Sequence, residues 1–288
     1  MATVFKICIQ ASLSILLAGL SLSVACAEVE CSKSQIQKRE QLLARIFAGA
    51  KKGLELKDAN NSQAALPLVQ DAYALAVANL PETDPGRFLV LQALGPILAD
   101  TGNYGEALNV YSNGLITLSV AANGVCGEYS LIGVEAEKMK ALLHNNLADL
   151  LMNINRFDEA APHWLEAIRI RQQIAPDSEI LATTMVTYGV SLNRAKEYEK
   201  AIEVIRDATS MLERVAPKSQ AHARALNSSC FSLNNVSPTR PAEAQKLCSR
   251  AIEIETARTA EPSANLPSFL GNLAESYRQL NNSEKQGE

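Results

Sequence analysis

Histidine is scarce in this 288-residue chain, and none of His144, His163 and His222 has a second histidine or a cysteine three or four residues away. That excludes the paired-histidine arrangement by which a helix holds a metal ion, and the cysteine spacing does not supply a zinc site either. No G-x-S-x-G elbow and no glycine-rich phosphate loop occurs. The chain is therefore expected to carry no catalytic machinery, to bind no cofactor and to be no enzyme. Lys and Arg number 27 against 31 Asp and Glu, for a net charge of −4, with no basic block and no basic stripe with interleaved aromatics. Nucleic acid is excluded as a partner for want of an electrostatic footprint.

Long apolar runs are absent except at the N-terminus. Lys6 precedes an uncharged apolar stretch at 7–24, and Ala25-Cys26-Ala27 has the small-x-small form cut by signal peptidase. Residues 1–27 read as a secretory signal. Two alternatives stay open. As an uncleaved anchor the run is barely long enough to span a bilayer, and it includes Gln10 and serines. As a lipoprotein signal it departs from the Leu-Ala-Gly-Cys form, because Ser23-Val24-Ala25 precedes Cys26. Membrane association is expected only if the segment is retained or Cys26 is lipidated. Otherwise the mature protein is extracytoplasmic, periplasmic or secreted, and loss of Lys6 takes its net charge to −5.

What is abundant is a recurrence of small residues. Residues 141–176, ALLHNNLADLLMNINRFDEAAPHWLEAIRIRQQIAP, read as two helices and a turn. Leu147, Ala148 and Leu151 share one face of the first helix, and Ala160, Trp164 and Ala167 one face of the second. Asn155 and Arg156 break the pattern between them. The small residue of the first helix recurs as Gly53, Gly95, Ala148, Gly189, Cys230 and Ala274, at spacings of 42, 53, 41, 41 and 44. That of the second recurs as Ala65, Ala107, Ala160, Ala201 and Ala244, each followed seven residues on by Ala72, Gly114, Ala167, Ala208 or Ala251. Small residues at these places let helix axes approach to roughly 8–10 Å. A fixed period of this size predicts a solenoid of stacked hairpins.

The pattern resembles the tetratricopeptide repeat. NNLADLL followed by RFDEAAPHWLEAIRIR is similar to the lengthened form found in kinesin light chains and many bacterial relatives, and TGNYGEALNVYSNGL and KEYEKAIEVIRDA match it too. The resemblance covers about 35–280. It is weaker in the first repeat, where Lys52 and Ser62 replace apolar or aromatic residues, and in the fifth, where SPTRP interrupts the turn. The expected fold is all-α: a right-handed α-solenoid of about five tetratricopeptide-like hairpins over 28–280, plus a C-terminal capping helix with Glu275, Arg278 and Gln279 on a polar outer face. Residues 281–288 read as a polar tail. No internal domain boundary is expected.

Four cysteines remain after cleavage, an even number for an oxidising compartment. Cys230 takes a first-helix small slot and Cys248 the bulky slot held by Trp164 and Ile205 elsewhere. Those slots face each other, so this pair is the leading disulfide candidate. Cys31 and Cys126 are a second, less favoured pair, and free buried thiols remain the alternative for both. About a dozen extra residues lie within 117–139, either lengthening the neighbouring helices or forming an edge loop.

Residues beside the packed face of the first helices are expected to line a concave groove: Asn145, Asn146, Asp149 and Asn153, then Thr187, Val190 and Arg194, then Asn227, Phe231 and Asn234, then Asn272, Glu275 and Arg278. Asparagine amides both donate and accept, so a row of them suits the backbone of an extended peptide. The resemblance adds that the asparagines of N-N-L-A are implied in cargo-peptide binding, and Asn145, Asn146 and Asn272 match in place. The lysine-and-asparagine carboxylate clamp of chaperone-binding relatives is not matched. The expected function is an interaction scaffold for a peptide or partner protein. The alternative is an accessory or assembly factor of envelope or secretion machinery, tethered through its N-terminus.

Overall fold

The computed structural model describes residues 33–82, 84–120, 133–258 and 263–286. The proposed signal segment, Cys31 and Cys126 lie outside these residues. Among the described residues there are eleven α-helices and no strand: α1 (Lys33–Asp58), α2 (Ser62–Asn79), α3 (Pro85–Asp100), α4 (Tyr104–Val120), α5 (Gly133–Asn153), α6 (Phe157–Ile174), α7 (Glu179–Arg194), α8 (Tyr198–Val215), α9 (Gln220–Asn235), α10 (Pro241–Arg258) and α11 (Leu266–Gln286). None of these helices is long and apolar enough to cross a membrane.

The chain gathers into two compact units, Met1–Ile154 and Asn155–Glu288. Their boundary falls in the turn of the 141–176 hairpin, so Ala148 and Ala160, both fully buried, belong to different units. In the first unit each helix from α1 to α5 packs on the next, and α3 also touches α1 and α5. In the second, α6 to α11 pack in the same consecutive way, and α9 also touches α7 and α11. Within each unit the odd-numbered helices lie side by side, α1, α3 and α5 in the first and α7, α9 and α11 in the second, and α2, α4, α8 and α10 each pack against two of them.

Size pairing sets the register within hairpins. A Cβ on Gly53 would lie 2.1 Å from Val69 Cγ2, one on Gly95 2.1 Å from the Tyr111 ring, and one on Gly189 2.2 Å from Ile205 Cγ1. No real Cβ tolerates such distances, so each first helix is hollowed to admit the bulky residue of its second helix. The second-helix residues Ala65, Ala107, Ala160, Ala201 and Ala244 are all fully buried. In the fifth hairpin the same two slots hold Cys230 and Cys248, whose Cα atoms are 5.5 Å apart and whose sulfurs are bonded.

Turns and caps repeat with the hairpins. Asn60, Gly102, Asn155 and Lys196 each take a left-handed conformation (φ 57°, 81°, 61° and 62°) at the centre of a tight inter-helix turn. In three of these turns the amide three positions past the last helical residue donates back to the carbonyl two positions before it: Asn61 to Leu56 (2.8 Å), Asn103 to Leu98 (2.8 Å) and Glu197 to Leu192 (2.9 Å). The fifth turn, SPTRP, is wider and is closed by the Arg240 amide donating to the Leu233 carbonyl (3.0 Å). Asp84, Ser178 and Ser219, each eleven residues before the small slot, cap α3, α7 and α9. Asp84 is wholly buried and also accepts from Arg39 on α1 (2.7 Å).

One open alternative is narrowed and one expectation is corrected. Part of the 117–139 insertion lengthens α5 to 21 residues, against 16 in α3, α7 and α9; residues 121–132 lie outside those described. At the C-terminus, α11 runs through most of the expected polar tail, and its outer face is not uniformly polar. Leu270 (49 % exposed), Ala274 and Tyr277 (47 % exposed) stand open, and among the described residues no second helix covers this stripe.

Candidate interaction face

Counting from the small slot, the positions two before, one after and five after it stay partly open on the first helices of the second unit: Thr187, Val190 and Arg194 on α7, Ser228, Phe231 and Asn235 on α9, Asn272, Glu275 and Gln279 on α11. Because α9 lies beside both α7 and α11, these make one three-helix face. Its centre is apolar, with Val190 and Phe231 half-buried. The Phe231 ring meets Tyr198 of α8 edge-on, centroids 6.3 Å apart, and the Arg194 guanidinium lies 5.9 Å over the Phe157 ring. In the first unit the same row on α5 is Asn146, Asp149 and Asn153.

The expected groove residues divide. Asn153, Arg194, Phe231 and Asn272 are exposed or half-buried on this side of their helices, whereas Arg278 is exposed but stands four after the small slot, in the register of Asn193 and Asn234 and off the open row. Asn145 donates to Asp149 (3.2 Å). Asn146 bonds the Tyr111 hydroxyl, tying α5 to α4; burial, with the Asp149 charge, nonetheless pushes the Tyr111 phenol up. Arg278 is paired with Glu275 through two bonds of 2.8 and 2.6 Å. Those bonds, with one from Gln279, hold the Glu275 carboxyl down to about 2.

Asn227 is not on the open row. It sits three positions before the small slot rather than two, is buried, and its side-chain carbonyl accepts from the Asn272 amide (3.0 Å). Two residues expected to face a peptide therefore bond to each other across α9 and α11.

That bond belongs to a polar ladder the sequence reading missed. The Asn193 amide donates to the Ser228 carbonyl (3.3 Å), and its oxygen accepts from the Ser232 hydroxyl (2.8 Å). One repeat on, Asn234 donates to the Asn272 carbonyl (2.9 Å) and accepts from Ser276 (3.0 Å). Buried and mutually satisfied, these groups join first helix to first helix. Cys230 Sγ lies within the ladder, 3.6 Å from the Ser276 hydroxyl. Ser-Leu-Asn at 191–193, recurring at 232–234 one repeat later, was the available signal. Among the described residues no cluster of His, Cys, Asp or Glu could hold a metal ion.

Comparison with known proteins agrees with this geometry. Residues 140–214 match the family model for the tetratricopeptide repeat. Among solved structures, the fold is similar to a Podosopora anserina kinesin light chain with nearly identical TPR-like repeats (TM-score 0.61, 11 % identity, 76 % of this chain and 99 % of that one). It is also similar to BtubC (BKLC) from P. vanneervenii (TM-score 0.58, 17 % identity, 85 % of each chain). A third likeness is to the apo form of RapI (TM-score 0.59, 13 % identity, 79 % of this chain and 58 % of that one). No curated protein matches the sequence. Residues 140–214 thus match the tetratricopeptide repeat, and the described residues share an all-helical hairpin fold with kinesin-light-chain-like proteins.

Proposed function

From a tetratricopeptide-repeat fold with an open first-helix face, we propose that this protein is a non-enzymatic scaffold working outside the cytoplasm, where the face of α7, α9 and α11 binds an extended segment of a partner protein. Tetratricopeptide repeats bind proteins or peptides, which supports the general class. The observation that carries the specific reading is the half-buried Val190 and Phe231 at the centre of that face, rimmed by Ser228, Asn235 and Asn272. An apolar centre with a polar rim is the ordinary anatomy of a binding patch. The α5 row in the first unit offers a second polar surface, with Asn153 exposed.

The extracytoplasmic location rests on residues 1–27 and on the pairing of Cys230 with Cys248. Mass spectrometry of the processed protein tests it. A chain beginning after Ala27 agrees, and a retained N-terminus favours the membrane-tethered assembly factor instead. The site is tested by placing a photo-reactive residue at Phe231 and, separately, at exposed Glu203 on α8 in cells of the source. Partner crosslinks from position 231 and none from 203 are expected; the reverse would move the site to the opposite surface.

A further inference from the structure

The geometry points to a second docking surface, on the uncovered stripe of α11, and to its occupant: an amphipathic helix of another protein that completes a sixth hairpin. Inside the fold the two partners of a hairpin have opposite profiles. First helices read bulky–small–bulky, as in Leu91-Gly95-Leu98, Met185-Gly189-Leu192 and Leu226-Cys230-Leu233. Second helices read small–bulky–small at the same spacing, as in Ala65-Val69-Ala72, Ala107-Tyr111-Gly114, Ala201-Ile205-Ala208 and Ala244-Cys248-Ala251. Val69, Tyr111 and Ile205 enter the slots at Gly53, Gly95 and Gly189, Leu91 meets the one at Gly114, and Leu91, Leu98, Leu192, Leu226 and Leu233 are each at most 5 % exposed.

Leu270-Ala274-Tyr277 repeats the first-helix profile, yet both large side chains are about half exposed. The stripe continues the internal interface of the array without its second helix. Shape selects the occupant. A second copy's α11 presents the same bulky–small–bulky profile and would set bulk against bulk. The apolar run at 7–24 lacks the polar face such a helix must turn to solvent. A partner helix of small-x-x-x-bulky-x-x-small form fits, with its large residue over Ala274 and its small ones against Leu270 and Tyr277, a helix-in-groove mode of recognition. This surface is separate from the Val190 and Phe231 face, so either can fail alone.

The probe is a fluorescent synthetic peptide of residues 196–215, the chain's own second helix, titrated against the full chain by anisotropy and circular dichroism. Saturable binding with a gain in helicity is expected. It should weaken by roughly tenfold or more when the chain carries L270D and Y277D, or when the peptide carries I205D. The Tm of the double variant should stay at the wild-type value, since both side chains are half exposed. Four results would overturn the proposal: no binding, binding unchanged in the double variant, binding only after residues 1–32 are deleted, or self-association of the wild-type chain that the double variant abolishes. The last two would name the chain's own N-terminus or a second copy as the occupant.

Discussion

The α7–α8 and α9–α10 hairpins put different chemistry at the same joint. In the first, Gly189 yields to Ile205 so closely that no side chain fits between them; in the second, Cys230 and Cys248 stand at the same slots and are bonded. One joint is held by packing and the other by a covalent link, while the polar ladder runs past both, from Asn193 to Ser232 and from Asn234 to Ser276. The repeat therefore prescribes volumes at fixed positions, not particular residues. The covalent version stands next to α11, which has a partner on one side only.

Changes at these joints sharpen the contrast. The largest loss is expected for Cys230→Ser with Cys248→Ser: a link across a sequence separation of 18 stabilises by about 3 kcal/mol in the chain-entropy account. Chemical denaturation with and without reductant measures it, and reductant should leave the double variant unaffected. Next is Gly189→Leu, which forces Ile205 aside and costs about 1–3 kcal/mol by overpacking, whereas the same change at exposed Gly105 should be nearly neutral. If the two melt alike, the packed joint is misassigned. Asn234→Ala, which takes one bonding partner from both the Ser276 hydroxyl and the Asn272 carbonyl and leaves them bonded to each other, is expected to cost about 1–2 kcal/mol. Asn235→Ala on the open row should cost less than half of that.

The smallest effect is a pH dependence at the α10–α11 junction. Burial of Glu255 pushes its carboxyl up, but bonds from Ser263, Asn265 and Arg258 outweigh this and leave it below the ordinary range. A carboxyl lowered on folding stabilises above its unfolded value and loses that contribution as pH falls through its folded one. The stability gap between wild type and Glu255→Gln should thus be full at neutral pH and close as the medium is acidified below about pH 4. A gap that widens in acid would reverse the sign.

Much of this architecture was legible because the small slots are a volume pattern, and volume survives in one sequence. Gly53, Gly95, Gly189 and Cys230 were placed by spacing alone, and each sits where its second helix comes closest. The interaction face was less legible for an angular reason. One residue is about 100° on a helix, so Asn227 and Asn272, one step apart in register, look alike in sequence but fall respectively inside the packing and at its edge. Alternation of polar and apolar residues also cannot say whether an amide turns to solvent or to the neighbouring helix, so Asn193 carried no expectation and Asn234, expected in the groove, is buried and bonded to α11 instead. At α11 the pattern was read correctly as a first helix. That its apolar stripe stays open among the described residues depends on what packs against α11, which no residue of α11 encodes. The division at Ile154 and Asn155 has no signal in the repeat spacing.

Whether the two hairpins are one joint can be decided by making the packed one covalent. Gly189→Cys with Ile205→Cys puts a cysteine pair at the slots that Cys230 and Cys248 occupy, in a chain where those two are serine. Non-reducing peptide mapping of the oxidised, folded double-cysteine protein should find residues 189 and 205 linked. Two thiols that stay free and open to alkylation in the folded state would contradict the shared register.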